Sequence, residues 1–261
     1  MTTPTPSSEP LRPDQPLAGK VALVTGGARR VGAAIARVLH AAGANVVIHY
    51  QNSAVAAAAL VAELEARRPD GADRIGANLL DTAKLGELVG STQQRFGRLD
   101  ILVNNASTFY PTPLGEITES HWDDLLGSNL KAPLFLSQAA APALRLAHGL
   151  ILNIVDIHGL RPLRRYPVYG VAKAGLIMLT RSLARELGPQ VRVNAIAPGP
   201  VMWPEDGIAD AALQQKIVGR TLLKRTGSAL DIARTALFFA ADAPYITGQI
   251  MPVDGGRSVA W

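Results

Sequence analysis

The sequence predicts one α/β domain, built on a parallel sheet of seven strands with helices on both faces. Three observations support this prediction. The 261 residues are 48% hydrophobic and 18% charged, which is enough apolar material for a sizeable core. From residue 20 onward, short β-branched runs alternate with stretches rich in alanine and leucine that have helical periodicity. The first of these runs leads directly into a glycine-rich turn and a helix start.

The predicted elements follow this alternation along the chain. Strands are expected where apolar, β-branched residues run together without polar alternation, as is typical of a sheet buried on both faces. These strands span residues 21–25, 45–50, 73–78, 101–104, 150–155, 191–196 and 249–252. The helices between and after them span residues 30–42, 53–68, 82–96, 119–146, 167–187, 209–219 and 228–240. No internal repeat of 20 to 50 residues accompanies the strand–helix alternation.

The first 18 residues differ from the rest in composition. Five prolines lie among threonine, serine and aspartate, so this segment has too little apolar surface to offset the entropy of ordering. It also lacks the basic start and apolar stretch of a signal peptide. We therefore expect a disordered tail over residues 1–18 and a single folded domain over residues 19–261.

Composition also excludes several classes of function. The chain has no cysteine, which excludes disulfides, iron–sulfur clusters and thiolate catalysis, and suits a reducing, cytoplasmic environment. The five histidines have no short metal-binding spacing, so no metal is expected. The net charge of +5 comes with scattered arginines, which favours an anionic small molecule over nucleic acid. The longest apolar region, 134–155, is interrupted by polar residues, so no membrane span is expected.

The glycine-rich turn at residues 25–32 (TGGARRVG) has the pattern of a phosphate site. Free amides and the positive end of a helix bind pyrophosphate, and glycine allows the ligand to approach the backbone. Following directly on the first strand, this turn predicts a Rossmann-type, doubly wound dinucleotide-binding fold. Gly26, Arg29 and Val31 are its expected contacts.

Arg30 stands where the usual dinucleotide turn has a glycine. With Arg29 it places two guanidinium groups at the mouth of the phosphate site, where they can hold a phosphate or stack on a planar ring. The alternative is a solvated pair at a helix start. The helix dipole disfavours cations there, which argues for an anionic partner.

The second strand ends in residues 49–53 (HYQNS) without a carboxylate. An acidic residue at this point would bind the adenosine ribose of NAD and repel an added phosphate. Its absence favours NADPH as the cofactor, with His49, Asn52 and Ser53 near the 2′-phosphate. His49 is alternatively a satisfied histidine at the edge of the sheet.

Tyr169 and Lys173 lie at the start of a predicted apolar helix with i, i+4 spacing. Residues so spaced project from the same helix face. A nearby ammonium stabilises a phenolate, so this pairing is expected to lower the tyrosine pKa and allow proton transfer near neutral pH. The tyrosine and lysine are therefore catalytic candidates.

Together, these motifs resemble the short-chain dehydrogenase/reductase family over residues 20–259. The resemblance rests on the following residues: Thr25, Gly26, Gly32, Asn104, Asn105, Ala106, Asn129, Tyr169, Lys173, Asn194, Pro198 and Gly199. It implies a nicotinamide cofactor at the carboxyl edge of the sheet, with Tyr169 as proton donor. It further implies that Lys173 binds the nicotinamide ribose, that Asn129 supports a water-linked proton relay and that the enzyme is a homotetramer.

Two positions depart from the general family pattern, Arg30 and Asp156. The family serine that polarises a substrate carbonyl would lie thirteen residues before Tyr169, where this chain has Asp156. An ionised carboxylate activates a carbonyl poorly, but a protonated one, or one paired with Tyr169, can deliver a proton to a ring nitrogen.

Both departures resemble the pteridine reductase branch of the family. Four segments carry the similarity: 25–32, 49–53, 104–114 (NNASTFYPTPL) and 155–156 together with Tyr169 and Lys173. The resemblance implies NADPH-dependent reduction of a pterin or folate at a C=N bond. The pterin would lie between the nicotinamide and Phe109, with Arg30 and Ser107 at its polar edge. Phe109 is alternatively a core aromatic beneath a loop.

The resemblance also assigns the loop after the sixth strand to the cofactor and substrate. The expected cofactor-binding residues are Gly26, Arg29, Arg30, Val31, His49, Asn52, Ser53, Asn78, Leu79, Asn105, Ala106, Ser107, Tyr169, Lys173, Pro198, Gly199 and Val201. The expected substrate-binding residues are Arg30, Ser107, Phe109, Asp156, Tyr169 and Trp203. Trp203 is expected either to line the substrate pocket or only to pack within its own loop.

Two other interpretations of the protein remain beside this one. A carbonyl reductase acting on a ketone is the nearest, and Asp156 is the main objection to it. A cofactor-binding protein without turnover would not need Tyr169, Lys173 and Asn129. Arg161, Arg164 and Arg165 form a basic cluster that either attracts an acidic substrate tail or lies in a solvated or subunit-contact loop.

Overall fold

A computed structural model of the protein describes residues 15–202 and 211–260. Its strands are β1 (Val21–Val24), β2 (Asn45–Tyr50), β3 (Ala72–Gly76), β4 (Ile101–Asn104), β5 (Leu150–Ile154), β6 (Arg192–Pro198) and β7 (Ile250–Val253). Its helices are α1 (Arg30–Ala41), α2 (Ala54–Arg67), α3 (Leu85–Phe96), α4 (Glu119–Leu126), α5 (Ala132–Ala147), α6 (Pro167–Leu187), α7 (Ala211–Gly219) and α8 (Ala229–Ala241).

The seven strands form one parallel sheet in the order β3-β2-β1-β4-β5-β6-β7. The order reverses direction between β1 and β4, which opens a crevice beyond the carboxyl ends of these strands. The predicted fold class, a doubly wound α/β sheet with helices on both faces, is confirmed. The phosphate-binding turn lies at this crevice because it follows β1 directly.

Each face of the sheet is buried under its own set of helices. Side chains alternate along β1, so Ala22 and Val24 pack towards α1 and α8, whereas Leu23 packs towards α3 and α5. The largest fully buried side chain, Phe239, belongs to α8 on the first face. Burial on both faces explains why the strands are apolar along their whole length.

The predicted helix over 119–146 is interrupted in the structure. Between α4 and α5, residues Gly127–Lys131 form a π-helical turn in which the Ala132 amide donates to the Gly127 carbonyl, five residues earlier. The apolar periodicity continues through this turn, so the sequence carries no signal for it. π-turns are frequent at functional sites because they redirect side chains, and this one contains Asn129.

The amino-terminal boundary of the domain also differs from the prediction. Residues 1–14 lie outside the described residues, but residues 15–18, assigned above to the tail, pack on the domain. Leu17 is 3% exposed within the core beneath α1, and its amide donates to the Ala42 carbonyl at 2.9 Å. The apolar leucine gains enough burial to be ordered despite its proline-rich surroundings.

Within the part of the chain that the structure describes, no helix has the length and hydropathy needed to cross a membrane. In residues 15–202 and 211–260, no group of three or more histidine, aspartate or glutamate side chains is placed to hold a metal ion.

Candidate active site

A cavity of about 440 Å³ lies at the carboxyl edge of the sheet, where the strand order reverses. It is bounded by the turn after β1, the end of β2 and the segment after β4. Twelve of the predicted cofactor residues line it: Gly26, Arg29, Arg30, Val31, His49, Asn52, Ser53, Asn78, Leu79, Asn105, Ala106 and Ser107. The structure therefore brings together residues from four separate parts of the sequence.

The turn after β1 is tightly packed against the end of β4. Gly26 has a φ of +58°, and a Cβ there would lie 3.0 Å from the Ala106 Cα. The Thr25 hydroxyl accepts hydrogen bonds from the backbone amides of Asn105 and Ala106 at 2.9 and 3.0 Å. A side chain at Gly32 would overlap the Gly26 carbonyl oxygen. Only glycine at both positions allows the turn to pack this closely against the rest of the site.

The start of α1 fits the pyrophosphate of a dinucleotide. No side chain caps this helix, and its first turn contains no acidic residue. The amino-terminal end carries partial positive charge, so an anion there is favourable. Arg30 has a φ of +52°, a left-handed conformation that strains a residue with a side chain. This conformation explains why the usual turn has glycine here.

His49 lies on the cavity wall, but its predicted role as a donor to a phosphate is wrong. Its side chain is 2% exposed and both ring nitrogens are engaged. Nδ1 accepts from the Gly26 amide at 3.2 Å, which leaves Nε2 to donate to the Ala77 carbonyl at 3.1 Å. Burial lowers the pKa of His49, against the smaller opposing effect of the Ala77 carbonyl. The neutral ring therefore braces the phosphate turn, as the alternative interpretation expected.

The remaining residues at the end of β2 are available to a phosphorylated ribose. Gln51 and Asn52 are exposed, and Ser53 begins α2 without capping it through its side chain. No carboxylate stands among residues 49–53. The wall thus has hydroxyl and amide groups and no charge to repel a 2′-phosphate, so it fits a phosphorylated dinucleotide.

Asp156 and Tyr169 are in direct contact beyond the end of β5. The Tyr169 hydroxyl donates to Asp156 Oδ2 at 2.8 Å, while Asp156 Oδ1 accepts from the His158 amide at 2.7 Å. The second bond fixes the carboxylate, because His158 belongs to a short 3₁₀ turn that Asp156 caps. Asp156 therefore occupies the place beside Tyr169 that the family resemblance implied.

The structure corrects the predicted effect of Lys173 on Tyr169. Burial and the negative charge of Asp156 raise the Tyr169 pKa well above its ordinary value, and a hydrogen bond with Ser107 lowers it only in part. The Lys173 ammonium lies 5.6 Å from the Tyr169 ring centroid and donates to the Ile154 carbonyl at 3.0 Å. Burial lowers the Lys173 pKa to about 8. Without a bound cofactor, the tyrosine therefore retains its proton.

Asn129 is fixed by the π-helical turn and holds Ser107. Its side-chain amide donates to the carbonyls of Leu125 and Thr108, both at 3.0 Å. Its Oδ1 accepts from the Ser107 hydroxyl at 2.6 Å. Because Ser107 also contacts Tyr169, a polar connection runs from Asn129 to the tyrosine. The sequence placed both residues at the site but did not predict this connection.

Phe109 is a half-exposed aromatic and not a core residue, since 46% of it is exposed. Its ring stacks on Tyr166 at 4.6 Å between centroids and meets the Tyr169 ring edge-on at 4.8 Å. The sequence analysis missed Tyr166, although an aromatic three residues before Tyr169 was the available signal. Tyr166 covers one face of the Phe109 ring. A planar ligand therefore stacks on the other face of Phe109, or on the same face after displacing Tyr166.

The residues after β6 lie partly apart from the main cavity. The Gly199 amide donates to the Val253 carbonyl, and a side chain at Gly199 would overlap Asp254. Pro198 is the last residue of β6, while Val201 lines a second cavity of about 420 Å³ beside Asp254. Trp203, a predicted substrate residue, lies outside the described residues.

The fold and the site define an oxidoreductase of the dinucleotide-binding type. Three comparisons with known proteins agree with this class. A family model described as Enoyl-(Acyl carrier protein) reductase matches residues 26–258. The chain is 38% identical to pteridine reductase 1 of Leishmania tarentolae, over 92% of this chain and 96% of the relative.

An equally similar relative has a different named activity. The 3-oxoacyl-[acyl-carrier-protein] reductase FabG of Staphylococcus aureus is also 38% identical, over 91% of this chain and 97% of its own. A crystal structure of a blue fluorescent protein from a metagenomic library, in complex with NADPH, superposes with a TM-score of 0.88. That chain is 37% identical, and the match covers 93% of this chain and 99% of that one. The chain belongs to the short-chain dehydrogenase/reductase family.

Proposed function

We propose that this oxidoreductase is a pteridine reductase, which reduces a C=N bond of a dihydropterin, an oxidised biopterin or a dihydrofolate. The observation that carries the proposal is the 2.8 Å hydrogen bond from the Tyr169 hydroxyl to Asp156. A hydroxyl already donating to a carboxylate is poorly placed to polarise a ketone. A tyrosine–carboxyl pair can instead pass a proton to a basic ring nitrogen.

The cofactor is NADPH, which supplies the hydride. Gly26, Arg29 and Val31 at the start of α1 would bind its pyrophosphate, and Asn52 and Ser53 its 2′-phosphate. Asn78, Leu79, Asn105 and Ala106 would flank the adenosine half, with Pro198, Gly199 and Val201 at the nicotinamide amide. Lys173 would bind the nicotinamide ribose.

The proton for the substrate would come from the Tyr169–Asp156 pair, which shares the proton of the tyrosine hydroxyl. Asp156 holds the hydroxyl in place and, through its own bond to the His158 amide, cannot rotate away. Asn129 and Ser107 would connect the tyrosine to solvent and restore its proton. An ordered donor of this kind contributes about 10²–10⁴-fold to rate.

The residues proposed to contact the substrate suit a flat, polar heterocycle. The half-exposed Phe109 offers an aromatic face beside Tyr169, while Arg30 would offer guanidinium donors and Ser107 a hydroxyl oxygen at the ring edge. Such a combination of one stacking surface and a few polar groups is typical of small-molecule sites. Trp203 is kept in this proposal as a further substrate contact.

The first test is NADPH oxidation with dihydrobiopterin, dihydromonapterin, dihydrofolate and a generic diketone, repeated with Tyr169→Phe. We expect turnover of at least one pterin, and a loss of about 100-fold or more in kcat for the variant. NADPH binding, followed by fluorescence, serves as the control and is expected to change little. Activity on the diketone alone would overturn the proposal.

A second candidate function is reduction of a ketone, which the equal similarity to FabG favours. Asp156→Ser separates the two functions because serine donates a hydrogen bond to a carbonyl without carrying charge. If the protein is a pteridine reductase, this variant loses pterin turnover by about 100-fold or more. If it is a carbonyl reductase, diketone turnover rises instead, and steady-state rates on both substrates decide between them.

The proposal includes the assembly and location of the enzyme. A homotetramer would bury apolar side chains now exposed on α6, such as Val171 and Met178. A cytoplasmic location would match the absence of cysteine and the supply of NADPH.

A further inference from the structure

A pair of arginines, Arg164 and Arg165, lies beside the aromatic wall of the substrate site. Both precede α6 and both are exposed. The Arg165 carbonyl accepts from the Thr112 amide at 2.7 Å, which ties this loop to the segment carrying Phe109. The next residue, Tyr166, stacks on Phe109. The pair therefore lies beside the loop that carries Phe109, the ring proposed to hold the substrate.

Arg165 has an unusual backbone. Its φ is +72°, in the left-handed region where glycine is the unstrained choice. Arg30, at the start of α1, has a φ of +52°. Two arginines among the residues proposed for binding thus occupy glycine-type positions. Strained residues of this kind concentrate where a side chain is needed for binding.

The two loops beside the arginine pair, residues 157–168 and 107–115, contain no acidic residue of their own. Asp124 on α4 accepts from the Tyr110 hydroxyl at 2.9 Å. Asp156 lies at the reacting end, where it is bound to Tyr169. Guanidinium groups bind carboxylates through paired donors and give up their hydration more easily than ammonium groups do. The arginine pair thus suits an anionic group attached to a ligand in the pocket.

We propose that Arg164 and Arg165 bind the carboxylates of an anionic side chain on the pterin, at the end remote from the reacting ring. This inference rests on the proposed function. A side chain that ends in a glutamate, with two carboxylates, matches two adjacent guanidinium groups. The enzyme would therefore prefer glutamate-bearing pterins over those with a neutral side chain.

The test compares dihydrofolate, which carries such a glutamate, with dihydrobiopterin, which has a neutral side chain. The variant is Arg164→Ala/Arg165→Gly, in which glycine also relieves the backbone strain, so the Tm is expected to be unchanged or higher. We expect kcat/KM for dihydrofolate to fall about 10-fold or more, mainly through KM, and that for dihydrobiopterin to stay within about 2-fold.

The matched control is Arg145→Ala/His148→Gly. It likewise removes an exposed arginine and relieves a left-handed residue, since His148 has a φ of +48°. Both residues lie at the opposite edge of the sheet, before β5, so neither substrate should be affected. The preference of the wild type for dihydrofolate should also weaken as salt increases, because the interaction is electrostatic.

The outcomes separate this inference from the proposed function. If the wild type turns over dihydrobiopterin and the arginine variant leaves dihydrofolate kinetics unchanged, the inference fails and the proposed function stands. If both substrates are lost equally, the arginines have a structural role and the inference also fails. If the wild type turns over neither pterin, both proposals fail together.

Discussion

Asp156 and Lys173 show how single residues set the protonation of the site. Both act on Tyr169, but the carboxylate makes the direct contact and the ammonium is turned to the Ile154 carbonyl. Lys173 is 2% exposed, and burial lowers its pKa although the negative charge of Asp156 opposes this effect. A buried ammonium of this kind has a measurable effect on stability.

The pH dependence of stability should reveal Lys173. Its pKa is about 8 in the folded protein, against 10.5 as the ordinary value. Between these values the unfolded chain binds a proton that the folded one does not, so the free energy of unfolding rises with pH. From pH 7 to pH 10 the contribution of Lys173 should increase by about 2 kcal/mol.

Urea denaturation of the wild type and Lys173→Met, without cofactor, measures this change. Methionine does not titrate, so the stability difference between the two proteins should move in favour of the wild type as pH rises. A difference that stays constant from pH 7 to pH 10 would show that the Lys173 pKa is not lowered.

At the scale of elements, a buried polar network joins the strands to the helices around the site. The Asn104 amide donates to Asn153 Oδ1 at 2.8 Å, which joins β4 to β5. The Asn153 amide donates to the Thr180 hydroxyl of α6 at 2.9 Å. Asn105 follows β4, Asp156 follows β5 and Tyr169 lies on α6. By joining these elements, the network fixes the relative positions of the three site residues.

Thr180→Val should therefore destabilise the protein by about 1–3 kcal/mol, because it leaves a buried amide of Asn153 without an acceptor. The control is Thr235→Val on α8. Thr235 likewise donates to the carbonyl four residues earlier, but it is only partly buried. Chemical denaturation of both variants tests the prediction, and equal losses of stability would contradict it.

The π-helical turn between α4 and α5 is the second feature that shapes the site at the scale of elements. It inserts one residue into the hydrogen-bond spacing between α4 and α5, which turns Asn129 inward. There the side chain reaches two backbone carbonyls and Ser107. In a regular α-helix, the side chain of Asn129 would project at a different angle. Its contacts with these groups therefore depend on the π-helical turn.

At the scale of the whole molecule, two exposed apolar residues on α6 are relevant to the proposed tetramer. Val171 and Met178 lie seven residues apart on α6 and are 52% and 58% exposed. This spacing puts both on one face of the helix. The tetramer proposed above would cover that face with the same helix of a second subunit.

Met178→Glu should accordingly lower the molar mass measured by light scattering, because burying a carboxylate in a symmetric interface is unfavourable. Val55→Glu is the matched control, since Val55 is an exposed apolar residue on α2, 86% accessible. A monomeric wild type, or equal effects of the two variants, would contradict the proposed assembly.

Sequence alone determined the order of strands and helices and most of the cavity wall. The strand–helix alternation has only one efficient way to bury its apolar residues, and the glycine turn after β1 has a conformation that few other residues adopt. The family resemblance placed Asp156 at the site beside Tyr169, and the structure shows the two side chains in direct contact.

Tertiary structure decided what depends on contacts between distant segments. His49 braces Gly26 instead of meeting a phosphate, because burial between two backbone groups occupies both of its nitrogens. Leu17 joins the core despite its proline-rich neighbours. The stacking of Tyr166 on Phe109 and the raised pKa of Tyr169 also arise only from packing, since desolvation and ring geometry depend on residues remote in the sequence.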